Sequence, residues 1–477
     1  MPQRPVLRHL ALRPACRDFW IFSPEHGARV RLLVRSASPA HHWRMLKRIT
    51  TIPKVLVLLS LVFSFESLAE VVHGLPVAGV EIRGAHYTRD FVIRRELETR
   101  AGELFDPVTL AADLQRLDNL DIFSSLKTQL HPSADSVHVV VIVRELPPMV
   151  PYISYDVNDQ DGWSFGPAMK SVNLLGQDIF LAGYALFGGR DSFLLDLSQP
   201  WLGGNHVSFD LDASRNIRDN ELDGFRETTT VLTPRIGVWI GQHGRASVVA
   251  SYMRVGADRQ SALLSQQGDD QLFRLGGSVG YDSRDAWGNP HRGWLSELEI
   301  AKTGGLLPGD GDFWTVHADA RRFQPVGDHT VVLAGLMSLQ PGESGRQFPT
   351  YMDYHLGGAN SLRGYAVDDL GPELFGTHQL LSTLEYRVPL VRPWEITIFG
   401  LSADIGIGGT LFVDGGLAWT DRDEFDLQRG KLGVGTGLRV LMPAVDMTRF
   451  EVGYGEDGWR FYLATFSKMQ AQRWRLR

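Results

Sequence analysis

Between Pro147-Pro148 and residue 468 the sequence alternates apolar and polar side chains at every second position, and this habit limits the fold more than any other feature of the chain. In "HVSFDLDASRN", Val207, Phe209, Leu211 and Ala213 take one side while Ser208, Asp210 and Asp212 take the other. "FWTVHADARRF" sets Trp314, Val316, Ala318 and Ala320 against Thr315, His317, Asp319 and Arg321, and "TRFEVGYG" and "WRFYLATF" repeat the pattern near the end. A period of two belongs to an extended strand with one apolar and one wet face. A soluble sandwich alternates in the same way, so the strand ends and the polar face decide between them. Trp201, Trp239, Trp287, Trp294, Trp394, Trp419 and Trp459 fall at segment ends, as interfacial girdles do. The polar face carries Arg and Glu as well as Ser and Thr, which suits a water-filled lumen.

The N-terminal region indicates where such strands are used. "MLKRITTIPKVLVLLSLVFSFESLAE" holds Lys47, Arg48 and Lys54, an apolar core from Val55 to Phe65, and then Ser67-Leu68-Ala69. That order is a secretory signal peptide over residues 45–69, cleaved after Ala69. The alternative is a membrane anchor, but the core falls well short of the roughly 20 residues that span hydrocarbon. Residues 1–44 are basic and irregular, and we read them as an extension from an upstream start codon, with Met45 the true initiator. Met1 peptides in the precursor would contradict this.

Without residues 1–69, 37 basic side chains face 52 acidic ones. Such a chain is a poor partner for nucleic acid, whose phosphates need concentrated Lys and Arg. Cys16 leaves with the leader, so the exported chain has no thiol for a disulfide or a thiolate metal site. The 15 histidines show no H-E-x-x-H or similar spacing, His41-His42 precede the signal, and neither metal nor cofactor is expected. No apolar stretch of helix length follows residue 69, which leaves a closed antiparallel barrel as the spanning structure.

A small α/β module stands between signal and barrel. "VAGVEIRGAHYT" is a short strand with Val80 and Ile82 alternating, closed by Gly84. "RDFVIRRELETRAGE" places Phe91, Arg94, Arg95 and Leu97 at helical spacing, and "DPVTLAADLQRLDNLDIF" opens with Asp106 as N-cap and Pro107 at the first helical position. Leu110, Leu114, Leu117 and Leu120 make its apolar stripe. "SSLKTQLHP" and "SVHVVVIVREL" are two strands with Asp135 in the turn between them. This β-α-α-β-β order over residues 76–146 resembles a single polypeptide-transport-associated (POTRA) domain.

Three later stretches, "GYDSRDAWGNPHRGWLSELEI", "SLRGY" and "LFVDGGLAW", resemble the motifs of the BamA/TamA family of outer-membrane assembly proteins. Each is weak alone, but their order and spacing, with the POTRA module before them, are specific. The resemblance implies an α+β POTRA domain in the periplasm, then an all-β antiparallel barrel of about 16 strands over residues 150–468 in the outer membrane of a Gram-negative bacterium. A basic tail, 469–477, follows. The resemblance also implies that "SLRGY" (Leu362, Arg363, Gly364, Tyr365) lies on an inward-folded loop. In "LFVDGGLAW" parity sends Leu411, Val413, Leu417 and Trp419 to lipid and Phe412, Asp414 and Gly416 to the lumen. A lumen carboxylate needs a partner, and the Arg363 guanidinium offers it a bidentate fork where Gly364 lets backbones approach. An Arg363–Asp414 pair is therefore expected. Glu385, Arg387, Arg439 and Glu451 share lumen parity and either extend this network or form a solvated wall.

Other motifs carry less. "GGSVG" fits the G-x-S-x-G pattern at Ser278, but that elbow needs a strand, a sharp turn and a helix, and here strand alternation continues. "GVGTGL" at Gly433 lacks the helix and acid of a dinucleotide site, and small residues where strands curve or pack closely explain it better. No catalytic domain fits between Ala69 and Val77, so no enzyme activity is expected. The family resemblance implies insertion or export of unfolded β-rich clients, with outer-membrane lipids and periplasmic or lipoprotein partners. Its physical basis is a weak seam between the first and last strands, about Val150 to Val157 against Gly458 to Phe466. One POTRA copy suggests an accessory or specialised member, and the ending "SKMQAQRWRLR" departs from the aromatic terminus usual in outer-membrane barrels. A two-partner-secretion-type transporter is the alternative, although no plug helix precedes the POTRA module. A passive porin is the alternative from another class.

Overall fold

The computed structural model describes residues 72–158, 162–204, 206–220, 224–259, 263–265, 268–366, 371, 373–398, 401–441, 447–456 and 458–466, with a short pairing of Trp20–Phe22 and Arg29–Arg31. The signal peptide, the start at Met45, Cys16 and the basic tail lie outside the described residues.

The small domain begins with β1 (Val77–Arg83), continues through α1 (Asp90–Arg94) and α2 (Pro107–Asn119), and ends in β2 (Phe123–Pro132) and β3 (Val137–Glu145). β3 is the middle strand of three, runs parallel to β1, and buries Val139, Val140 and Val141 completely. α2 starts at its Asp-Pro signal: the Asp106 carboxylate accepts from the backbone N–H groups of Val108 and Thr109, both at 3.1 Å. Its Leu110, Leu114, Leu117 and Leu120 are buried. Asp106→Ala removes that cap and is expected to cost the domain about 1 kcal/mol. The measurement is the urea dependence of amide hydrogen exchange over residues 107–119, which reads this helix separately from the barrel strands.

The first helix is shorter than its spacing predicts. It ends at Arg94 because the next backbone donors are drawn elsewhere: the Asp113 carboxylate accepts from Glu98 N and Thr99 N, each at 2.9 Å. The buried side chains are Val92, Ile93 and Leu97, while Phe91 is exposed. Glu145, at the end of β3, accepts from the backbone N–H groups of His86, Tyr87 and Thr88. Burial works against its ionisation, but the bonds from Thr88, His86 and Tyr87 prevail and hold the carboxyl below its ordinary range.

The barrel domain opens with β4 (Val150–Asn158), β5 (Gly162–Leu174), β6 (Ile179–Gly188) and β7 (Asp191–Gln199). There follow β8 (Val207–Asn220), β9 (Phe225–Ile240), β10 (Gly244–Ala257) and β11 (Asp269–Asp282). Next come β12 (Gly293–Gly304), β13 (Asp312–Val326), β14 (His329–Leu339) and β15 (His378–Ile398). The last four are β16 (Leu401–Trp419), β17 (Lys431–Leu441), β18 (Met447–Gly455) and β19 (Gly458–Phe466). All sixteen form one sheet in chain order, each strand paired with its sequence neighbours. β4 and β19, its two ends, come near each other, yet no ladder joins them among the described residues. Among the described residues no helix is long and apolar enough to cross a membrane, so the crossing is made by strands.

Parity sorts the wall. Ile236, Val248, Trp314, Leu411, Val413 and Phe461 are exposed on the outside, while Asp319, Glu385, Asp414 and Glu451 are buried on the inside. Three outward assignments are corrected. Trp239 lies between outward Val238 and Ile240, so it points inward; its indole N–H donates to the Pro200 carbonyl at 3.2 Å, and the Arg245 guanidinium lies 5.4 Å from its ring centre. Leu417 and Trp419 have outward parity but are 3% and 6% exposed. The segment after β16 covers Trp419: Phe425 packs edge-on against its indole at 4.8 Å, with His378 on the same ring.

Candidate functional site

The connection from β14 to β15 is long and folds back on itself. Tyr354–His355 pairs with Phe375–Gly376, and Leu356 N donates to the Leu374 carbonyl at 2.7 Å. Leu356, Leu362, Tyr365 and Leu374 pack together against Ala418 of β16, giving the loop an apolar core of its own. A bond from Gly358 N to the Tyr365 carbonyl, 2.9 Å, pinches off the tip that carries Arg363 and Gly364. Gly364 has φ +107°, a conformation that side chains with a Cβ rarely adopt.

The tip lies inside the barrel, because its partners are the inward residues of strands whose alternate residues are exposed outside. Arg363 makes a fork with Asp414: Nε to Oδ2 at 2.7 Å and Nη2 to Oδ1 at 2.8 Å, with its backbone N–H adding a bond to Oδ2 at 3.2 Å. Its remaining Nη1 reaches Glu451 at 3.0 Å and Glu385 at 3.1 Å. The guanidinium plane also sits 3.5 Å from the centre of the Phe412 ring. Three carboxylates around one cation would repel one another, and three further guanidiniums offset this. Arg387 (2.8 Å) and Arg439 (3.0 Å) bind Glu385, and Arg449 (3.1 Å) binds Glu451. Glu385 and Glu451 thus touch Arg363 directly, whereas Arg387 and Arg439 act on it through Glu385. Gly416 leaves room for Leu356 and Leu362 at the upper end of the cluster.

Sequence reasoning did not identify the surface under the tip. Gly433, Gly453 and Gly455 form a floor on which the backbone of Arg363 and Gly364 rests: a Cβ at Gly433 would stand 1.8 Å from the Arg363 carbonyl oxygen, and one at Gly455 2.5 Å from that of Gly364. The sequence contains a signal for it, since Gly433-x-Gly435 and Gly453-x-Gly455 place glycines on one face of neighbouring strands, with Gly435 opposite Gly453. Arg449, which binds Asn360 of the tip, and Tyr462 were also missed.

Ser278 lies on uninterrupted β11, where its hydroxyl bonds that of Ser247 at 2.7 Å and faces Arg235, which pairs with Glu297 and Glu299. No turn or helix presents it as a nucleophile. Among the described residues no cluster of His, Cys, Asp and Glu could hold a metal ion.

A POTRA-type domain followed by a sixteen-stranded barrel with a loop pinned inside defines a class of outer-membrane β-barrel proteins. Residues 173–462 match the Omp85 superfamily domain, and residues 76–146 match POTRA, the surface antigen variable number repeat. The chain belongs to the Omp85 superfamily, in its BamA/TamA branch, with its barrel in the outer membrane and its POTRA domain in the periplasm. It is 25% identical over 404 residues to outer membrane protein assembly factor BamA of Nitratidesulfovibrio vulgaris, covering 80% of this chain and 49% of that relative. The chain thus spans about half the relative's length. Its fold is similar to BamA from Haemophilus ducreyi lacking POTRA domains 1–3 (TM-score 0.51, 15% identity, 82% of this chain and 83% of that one). It is also similar to CdiB from Escherichia coli (TM-score 0.55, 14% identity, 83% and 74%).

Proposed function

We propose that the protein assembles β-rich clients into the outer membrane by offering them the edge between β4 and β19. One observation carries this reading: among the described residues fifteen neighbouring strand pairs share a ladder, and this pair does not. Unpaired N–H and C=O groups facing hydrocarbon are costly, so an edge there favours the addition of a strand. Main-chain bonding supplies such pairing without selecting a particular sequence, which fits a factor that accepts many clients. Pairing of this kind requires no catalytic group and no cofactor. Unfolded outer-membrane proteins are the proposed clients, outer-membrane lipids the surrounding medium, and periplasmic or lipoprotein factors the proposed accessories.

The test is photo-crosslinking in vivo from outward positions on the two edge strands, Ile153 and Phe461, with Ile236 of β9 as control. Precursors of several barrel proteins should be trapped at the edges and not at β9. A single large exoprotein in their place would favour the secretion transporter that the CdiB-like fold also accommodates. No client, together with a large steady conductance insensitive to the tip, would indicate a porin.

A further inference from the structure

We infer that Tyr462 is a positioning residue that latches the edge strand β19 to the tip of the lumen loop, so that seating the tip sets the width of the seam. Tyr462 lies on β19 directly opposite Glu451 of β18, and both point into the barrel. They hold adjacent parts of the tip. Glu451 takes the Arg363 guanidinium, while the Tyr462 hydroxyl accepts from Gly364 N–H at 2.8 Å and donates to the Tyr365 carbonyl at 3.2 Å. One phenol thus serves two main-chain groups of the tip, and it is 9% exposed.

The position of this residue gives the contact its consequence. A strand inside a sheet is held by ladders on both sides, but among the described residues β19 has one on the β18 side only. The Tyr462 tie therefore adds an anchor from the interior to this edge strand. Arg363 and Gly364 find their partners on β15, β16, β18 and β19, and Tyr365 adds β17 through the Leu432 carbonyl at 3.1 Å. The strand across the seam, β4, supplies none of these partners. A seated tip thus binds the C-terminal side of the seam into one block. Releasing the tip frees β19 as well.

The full chain in lipid bilayers can be tested directly, because its single cysteine, Cys16, precedes the signal cleavage site. Spin labels at Ile153→Cys and Phe461→Cys report the seam width. Tyr462→Phe keeps the ring and removes both hydroxyl bonds. It is expected to raise the wide-seam population on the order of fivefold to tenfold, the scale set by one or two net hydrogen bonds. Tyr454→Phe, on the outward face of β18, should leave the distances as in the wild type. An unchanged distribution in Tyr462→Phe overturns the latch.

A second measurement covers the case in which that variant does not fold: amide exchange in Asp414→Asn, where the tip is loosened. Exchange over residues 458–466 should rise well above that over β8 and β9, and equal rises overturn the proposal. The latch refines the assembly reading, but both measurements are made without a client. If crosslinking traps nothing at the seam while Tyr462→Phe still widens it, the assembly reading fails and the latch stands.

Discussion

Replacing Arg363 with alanine is expected to release the lumen loop and to lower the barrel's stability more than any other single change in the site. The variant leaves Asp414, Glu385 and Glu451 together without the cation they share, each at most 5% exposed. Breaking a buried pair by removing one partner costs about 3–5 kcal/mol, because the other charge stays buried and uncompensated. Here Arg387, Arg439 and Arg449 retain part of Glu385 and Glu451, but Asp414 loses both arms of its fork. Folded barrels should therefore convert to the unfolded electrophoretic form at lower temperature, and chymotrypsin should cut at Leu362 and Tyr365, which the seated loop buries. Adding Asp414→Asn should restore part of the loss, since the orphaned charge goes with it and neighbouring effects do not add. If both single variants keep wild-type chymotrypsin resistance and activity, the loop is not locked by this pair.

Gly433→Ala is expected to produce the same released loop with every charge still in place. Its new Cβ would meet the Arg363 carbonyl oxygen at 1.8 Å, and that oxygen is backbone, which cannot swing aside as a side chain could. Either β17 or the tip must move, and the tip is joined to the wall by fewer bonds. Overpacking of this kind costs about 1–3 kcal/mol. Gly256→Ala on β10, where a Cβ meets nothing within 4 Å, is the matched control and should behave as wild type. Chymotrypsin sensitivity of the loop in Arg363→Ala, Gly433→Ala and Gly256→Ala separates the two requirements of the site, charge and space. A Gly433→Ala loop as resistant as the control would show that the floor can yield.

The barrel was legible in its parity. Trp314 and Leu411 outside, Asp319 and Asp414 inside, follow from counting by two, since a strand in a membrane wall has one wet face and one oily one. Counting failed at the end of β16. Leu417 and Trp419 keep their parity yet are buried, Trp419 under Phe425 of the following segment, and no local pattern records a cover supplied by residues further along. Trp239 misled for a different reason: a tryptophan near a strand end signals an interface only if its parity is outward. The short first helix was lost to Asp113, a partner that appears only once the chain is folded. Within the site, the motif residues could be named from the resemblance and Asp414 from its need for a cation. The glycine floor left only its spacing as a signal and Tyr462 none, because a residue that only makes room, or that bonds main chain, has no chemistry of its own to notice.

The tip's bonds also have a direction in time. Arg363 reaches forward 51 residues to Asp414 and 88 to Glu451, and Gly364 reaches 98 residues to Tyr462. All of these partners follow the loop in the chain, so the guanidinium gains its last carboxylate only with β18, and the Gly364 N–H its partner only with β19. Seating the tip is accordingly the closing act of this barrel's own folding, and a seated loop certifies that the sheet has been completed through its last strand.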